Sequence, residues 1–110
     1  MSVRQKGRRA RAEIDISSSG NNTIVAAVNP GHIEIDHINL IPTGGANTVI
    51  LRDGSTQIAS YAFDDNQGFA FDNASGDSPL VLSNNSAFVI NLSAATQVSG
   101  FVLYRIVGEE

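Results

Sequence analysis

Turn signals recur so often along this sequence that no stretch keeps a helical apolar period. Ser17-Ser18-Ser19-Gly20-Asn21-Asn22, Asn29-Pro30-Gly31, Pro42-Thr43-Gly44-Gly45-Ala46 and Asp53-Gly54 divide the first half. Asp64-Asp65-Asn66-Gln67-Gly68, the polar segment from Asp72 to Pro79, Ser83-Asn84-Asn85-Ser86 and Ser93-Ala94-Ala95-Thr96 divide the second. Proline presets φ, glycine permits positive φ, and Asn and Asp bond their own backbone, so each cluster reverses the chain. Asp53-Gly54 is a hairpin turn of the primed kind. Between the turns the sequence alternates or runs apolar, as in Glu13-Ile14-Asp15-Ile16 and Thr23 to Val28. This gives about nine short strands with turns every ~8–12 residues, the pattern of a sandwich or barrel. The expected fold is all-β, an antiparallel β-sandwich, jelly-roll-like, with an extended basic N-terminal arm.

Two strands carry more detail. From His32 to Ile41, Ile33 and Ile35 have one parity and Ile38 and Leu40 the other. A switch near Asp36-His37 fits a β-bulge or a crossing between sheets. In the last strand, Val98, Val102, Tyr104 and Ile106 share one face, while Phe101, Leu103 and Val107 share the other with Arg105. Alternation on an antiparallel sheet normally leaves one face polar. Here both faces need cover, and a second copy of the chain supplies it most simply. Phe101, Leu103 and Arg105 are therefore the expected oligomer interface, with a homotrimer around that strand. The competing placement puts these side chains in the two-sheet core or under the loop from Asp72 to Pro79.

Charge divides the chain. Arg4, Lys6, Arg8, Arg9 and Arg11 are five of the seven basic residues, and residues 1–11 hold no acid. Residues 12–110 set two arginines, Arg52 and Arg105, against all eleven acids. The expected division is an arm over 1–11 and a single domain over 12–110. An arm with one apolar anchor, Val3, has no amphipathic period of its own. Extended, it spans on the order of 35 Å. Its five cations suit an acidic protein surface. Nucleic acid is a poorer match, because the acidic body repels a polyanion and residues 1–11 offer no aromatic ring for stacking.

Several chemistries are excluded or weak. The 110 residues contain no cysteine, which removes disulfides, thiolate catalysis and Cys-ligated metals. No apolar run is long enough to span a membrane. The N-terminus lacks the apolar stretch of a signal peptide, so synthesis in the cytoplasm is expected. His32, Glu34 and Asp36 project to one face of a strand, roughly 7 Å apart in succession. They form a legitimate metal-ligand set, although ordinary alternation opposite Ile33 and Ile35 explains them as well. His37 has no nucleophile placed beside it by any recognised motif. The acidic clusters Asp64-Asp65-Asn66 and Asp72 to Asp77 lack the spacing of a calcium loop. No catalytic residue and no metal site is assigned.

The segment from Asn39-Leu40-Ile41-Pro42-Thr43-Gly44-Gly45-Ala46 through Asn47-Thr48-Val49-Ile50-Leu51-Arg52-Asp53-Gly54 resembles small virion proteins of tailed bacteriophages. So does Leu92-Ser93-Ala94-Ala95-Thr96-Gln97-Val98-Ser99-Gly100-Phe101-Val102-Leu103-Tyr104. The resemblance implies a trimeric β-sandwich decoration (cement) protein on the outer capsid surface, with the major capsid protein as partner. It implies no enzyme and no cofactor. Fibre tips follow a long shaft, whereas a short arm reaching across a seam suits a cement protein. The alternative is a receptor- or carbohydrate-binding module of a head or tail fibre, with Tyr61, Phe63, Phe69 and Phe71 as candidate contact residues.

Overall fold

A computed structural model of the chain describes residues 4–6, 9–64, 67–72 and 80–109. Among them are ten strands. They are β1 (Arg4–Lys6), β2 (Ala10–Ile16), β3 (Gly20–Val25), β4 (His32–Pro42), β5 (Asn47–Asp53), β6 (Thr56–Phe63), β7 (Phe69–Asp72), β8 (Leu80–Val81), β9 (Phe88–Leu92) and β10 (Val98–Glu109). All pair antiparallel, in a sheet of six strands and a sheet of four. The chain is an all-β sandwich, as its turn spacing predicts.

The sheet of six is only four strands wide, because short strands lie end to end at both edges. Along one side of β10, β1 pairs with Val107 to Glu109 and β2 pairs with Val98 to Tyr104. On the other side β10 pairs with β4, whose far edge takes β7 and then β8. The second sheet runs β3-β9-β5-β6. Taken in chain order without β1 and β8, one sheet orders its strands first, eighth, third, sixth, and the other second, seventh, fourth, fifth. Two interleaved Greek keys of this order make a jelly roll.

The inner faces meet in one core. Ile14, Ile33, Ile35, Ile38 and Val102 come from the six-stranded sheet, against Val49, Leu51, Phe88, Ile90 and Leu92 from the four-stranded one. All ten are buried. The parity switch in β4 is a bulge, as the sequence suggests: His37 opposes Leu103, Ile35 opposes Tyr104, and Asp36 is the extra residue between them. That extra residue lets Ile33, Ile35, Ile38 and Leu40 all point inward. It also throws Asp36 out of the alternation.

Two local devices fix the strands that carry the surface described below. Gly100, in the middle of β10, has a φ of +154°. A Cβ there would collide with the Asn39 carbonyl oxygen and crowd Leu40 Cα, so glycine lets β10 and β4 close up. Asn47, buried at the start of β5, holds the turn before β10. Its Oδ1 accepts from Ser93 N, Ser93 Oγ and Ala94 N at 3.1 Å each, and its Nδ2 donates to Ala94 O at 3.0 Å and Thr96 Oγ1 at 2.8 Å. Buried polar atoms require such partners.

Candidate functional site

Since Ile33, Ile35 and Ile38 face the core, their neighbours His32, Glu34, His37 and Asn39 lie on the outer face of the six-stranded sheet. The register sets them beside Val107, Arg105, Leu103 and Phe101 of β10. The expected interface residues Phe101, Leu103 and Arg105 therefore occupy an outer sheet face and do not fill the space between the sheets. All three are half-buried.

Neighbours within the chain already contact much of this stripe. The Phe101 ring stacks on His37 with centroids 5.3 Å apart. On the same ring sits the Arg11 guanidinium, 4.9 Å from the centroid, a cation–π contact. Asn39 locks the stack from behind. Its Oδ1 accepts the Phe101 N–H at 3.3 Å, leaving Nδ2 to face His37 Nε2 at 2.9 Å.

Further along β4 lies an ionic cluster. Asp36 is 1% exposed, and its Oδ2 accepts from Arg105 Nε at 2.7 Å and from Arg9 Nε at 3.2 Å. Both arginines keep part of their surface in water, at 32% and 41% exposure. They thus bring charge to a buried carboxylate without being fully desolvated themselves. Asp36 is buried because the bulge sets it there, and a buried carboxylate is tolerable only when paired. Beside this cluster His32 Nε2 and Glu34 Oε2 bond at 2.9 Å, both buried.

This geometry relocates several residues singled out in the sequence. His32 and Glu34 bond to one another and Asp36 bonds to arginines. Among the described residues no group of three His, Cys, Asp or Glu side chains is arranged to hold a metal ion. Arg4 and Lys6 lie in β1, opposite Glu109 and Val107. Their side chains, and Arg8 altogether, lie outside the described residues. Arg11 and Ala12, on either side of the expected arm boundary, are consecutive in β2. Two of the five arm cations, Arg9 and Arg11, thus contact this chain's own body. The signal for it is Ala10-Arg11-Ala12, which continues the alternation of Glu13 to Ile16 backwards.

The aromatic alternative is only partly placed. Tyr61 and Phe63 stack at 5.9 Å, with Phe63 buried and Tyr61 36% exposed. Phe63 also lines a cavity of about 380 Å³ with Asn47, Thr48, Asp64, Gln67 and Ser93. Phe69 and Phe71 pair through their backbones with Leu40 and Ile38, and their side chains lie outside the described residues.

No protein-family model matches the sequence, and no curated protein matches it. Solved structures do. One chain comes from the capsid of Helicobacter pylori bacteriophage KHP30. It superposes with a TM-score of 0.53 at 14% identity, over 100% of this chain and 98% of that one. A chain of the Bacillus endospore appendages, described as disulfide-linked pili, gives 0.53 at 13% identity over 97% and 88%. A chain of the virus-like particle of Macrobrachium rosenbergii extra small virus gives 0.46 at 17% over 93% and 79%, a similarity too low to carry weight. At these identities the likeness is one of fold: this chain shares its β-sandwich architecture with one chain of a phage capsid and one of a bacterial appendage.

Proposed function

We propose that this chain is a structural protein of a virion, a decoration or cement protein that binds the outer surface of an assembled capsid as a homotrimer. The observation that carries the reading is the basic N-terminal segment, whose residues 4–6 and 10–11 pair along the edge of the six-stranded sheet while Arg9 and Arg11 reach over its outer face. Arg9 on Asp36 and Arg11 on Phe101 hold it beside the half-buried Phe101–Leu103 stripe. A regular sheet face with a half-buried apolar stripe, flanked by Arg9 and Arg11, suits a protein surface. The whole-chain correspondence with a chain of the KHP30 capsid supports a structural role in a virion. A disulfide-linked pilus is a poor alternative for a chain without cysteine.

In this reading the major capsid protein is the partner, and Arg4, Lys6 and Arg8 are the cations that meet its acidic surface. Arg9 and Arg11 position the segment. Binding adds contact area only to the assembled shell, and mass action then favours the assembled state. The reading assigns no catalysis and no cofactor to the chain.

Co-sedimentation with shells of the virus that encodes the chain tests it. Deleting residues 2–11 is a poor probe, because it strips a partner from buried Asp36. The better variant replaces Arg4, Lys6 and Arg8 by Gln and keeps Arg9 and Arg11. The wild type is expected to sediment with shells saturably, and the triple variant to lose at least tenfold in affinity. Unchanged binding by the triple variant would remove the arm from the mechanism, and no binding by the wild type would remove the reading.

A further inference from the structure

Strand β2 (Ala10–Ile16) lies at an edge of the six-stranded sheet. β10 pairs with one side of it, and among the described residues no strand pairs with the other. Ile14 belongs to the core, with Ala12 and Ile16 packed against it. Arg11, Glu13 and Asp15 therefore stand on the outer face, all exposed. Arg9, also exposed, precedes them at the same parity. Read along the chain, the outer row is two cations followed by two anions. No other described edge strand has such a row. β3 and β6 carry no charged residue, and β1, β7 and β8 are three, four and two residues long.

Charge on an edge strand ordinarily keeps other strands away. This row differs because it is its own complement. Residues directly opposed in an antiparallel pair project to the same face. When β2 is set against a reversed copy of itself with Ala12 opposite Ala12, Arg11 meets Glu13 on both sides of the centre. Beyond them Arg9 meets Asp15. A slide of two residues sets Arg11 against Arg11 in one direction and Glu13 against Glu13 in the other. A slide of one sets the outer row of one copy beside the inner row of the other. One register alone satisfies every charge.

The two central groups are available for it. Among the described residues Glu13 is engaged by no hydrogen bond or ion pair. The Arg11 guanidinium lies 4.9 Å from the centroid of the Phe101 ring. That contact uses its positive charge and commits none of its N–H donors. The outer groups are already held, Arg9 Nε by Asp36 at 3.2 Å and Asp15 Oδ1 by Gln97 at 2.6 Å. They add charge of the right sign at the ends.

We propose that β2 pairs antiparallel with β2 of a second copy of this chain across a two-fold axis at Ala12, with an Arg11–Glu13 ion pair on each side of the axis. Charge complementarity selects the occupant. A two-fold contact sets a surface against itself, and a second copy carries the matching row by identity, whereas any other strand would have to supply it. On the inner side the axis meets only the methyl group of Ala12, which leaves room for close approach. The contact is confined to one strand, smaller than a permanent dimer needs, and exposed ion pairs are individually weak. The pair therefore forms reversibly, at high concentration. The inference does not rest on the virion reading or on its trimer, since it concerns an edge and not the Phe101 face.

Exchanging the charges tests both partner and register. Arg11→Glu and Glu13→Arg are weighed in solution over a concentration series, each alone and then mixed in equal amounts, beside the wild type. The wild-type mass is expected to double with concentration. Either variant alone sets like charges against each other, so its transition should move at least tenfold upward. In the mixture one row complements the other, and the transition should return to within threefold of the wild type. A second measurement uses the absence of native cysteine. Arg11→Cys mixed with Glu13→Cys sets the two thiols opposite each other and keeps one Arg11–Glu13 pair. On oxidation the mixed disulfide is expected to form at least tenfold faster than either variant links to itself. A mixture no better than its components, equal rates of cross-linking, or no wild-type mass increase at any concentration would each overturn the proposal. Both substituted side chains are exposed, so folding is retained.

Discussion

Arg9 reaches across the outer sheet face to Asp36, 27 positions further along, and donates its Nε–H to the carboxylate at 3.2 Å. Arg105 donates to the same oxygen at 2.7 Å. One buried acid on a bulge thereby ties the basic N-terminal segment, β4 and β10 together. The body's excess of acid supplies an intramolecular partner for the segment before any external surface is met.

The two arginines differ in consequence. Arg105→Ala removes the shorter of the two arginine bonds to Asp36 Oδ2, with an expected loss of about 2–4 kcal/mol in unfolding free energy. Arg9→Ala removes the weaker and more exposed partner, at about 1 kcal/mol. Urea unfolding of both variants and the double variant checks the order. A double variant losing more than the sum of the singles is expected, because both arginines donate to the same carboxylate oxygen.

Phe101 has ring contacts inside a single copy, so its loss acts on the monomer. Phe101→Ala is expected to destabilise by about 1–3 kcal/mol, reflecting lost apolar area and the contacts with Arg11 and His37. Arg11→Gln is expected to cost less, about 0.5–1 kcal/mol, because it spares the ring and removes only the cation. If Phe101→Ala changed the oligomeric mass with no change in unfolding free energy, the intramolecular stack would have no energetic role.

Gly100→Ala should be the most damaging single methyl in β10. The new Cβ collides with the Asn39 carbonyl and strains a φ of +154°. Opening the β4–β10 contact costs about 3 kcal/mol or more, and failure to fold at 37 °C is an acceptable form of the same outcome. Gly20→Ala is the control. Its φ of +88° is strained too, but nothing lies within 4 Å of the new atom, so about 1–2 kcal/mol is expected. Circular dichroism melts compare the two.

Asp53 makes stability depend on acidity. Burial pushes its carboxyl pKa up, but the hydroxyls of Ser86 and Ser83 and the Ser83 N–H outweigh that and bring it below the ordinary 3.8. A depressed folded pKa means stability that is present above the unfolded value and lost as pH falls through the folded one. The wild type should therefore lose stability below about pH 4. Asp53→Asn should start lower at neutral pH and show a shallower acid slope. Urea midpoints between neutral pH and pH 3 measure both.

The fold was legible in the sequence because its strands are short and its turns are chemically explicit. Asp53-Gly54 turns where a primed hairpin is expected, and the opposed parities of Ile33 and Ile38 located the bulge. The surface was harder to read. A period-two pattern assigns Phe101 and Leu103 to a face but does not say what lies over it. The ring contacts to Phe101 come from Arg11 and His37, which are 90 and 64 positions away and brought near only by the pairing of β2 and β4 with β10. Likewise Asp36 looks like one of three aligned ligands on a regular strand. The bulge takes it out of that row and gives it to Arg9 and Arg105. Long-range register decided the site, and local pattern does not carry register.

The most direct test of the proposed cement function is the temperature at which purified shells open, followed by light scattering with and without added protein. The opening temperature is expected to rise and saturate as the chain fills its sites. The variant lacking the cations of Arg4, Lys6 and Arg8 should reach the same temperature only at higher concentration. An opening temperature unmoved by saturating wild-type protein would contradict a cement role.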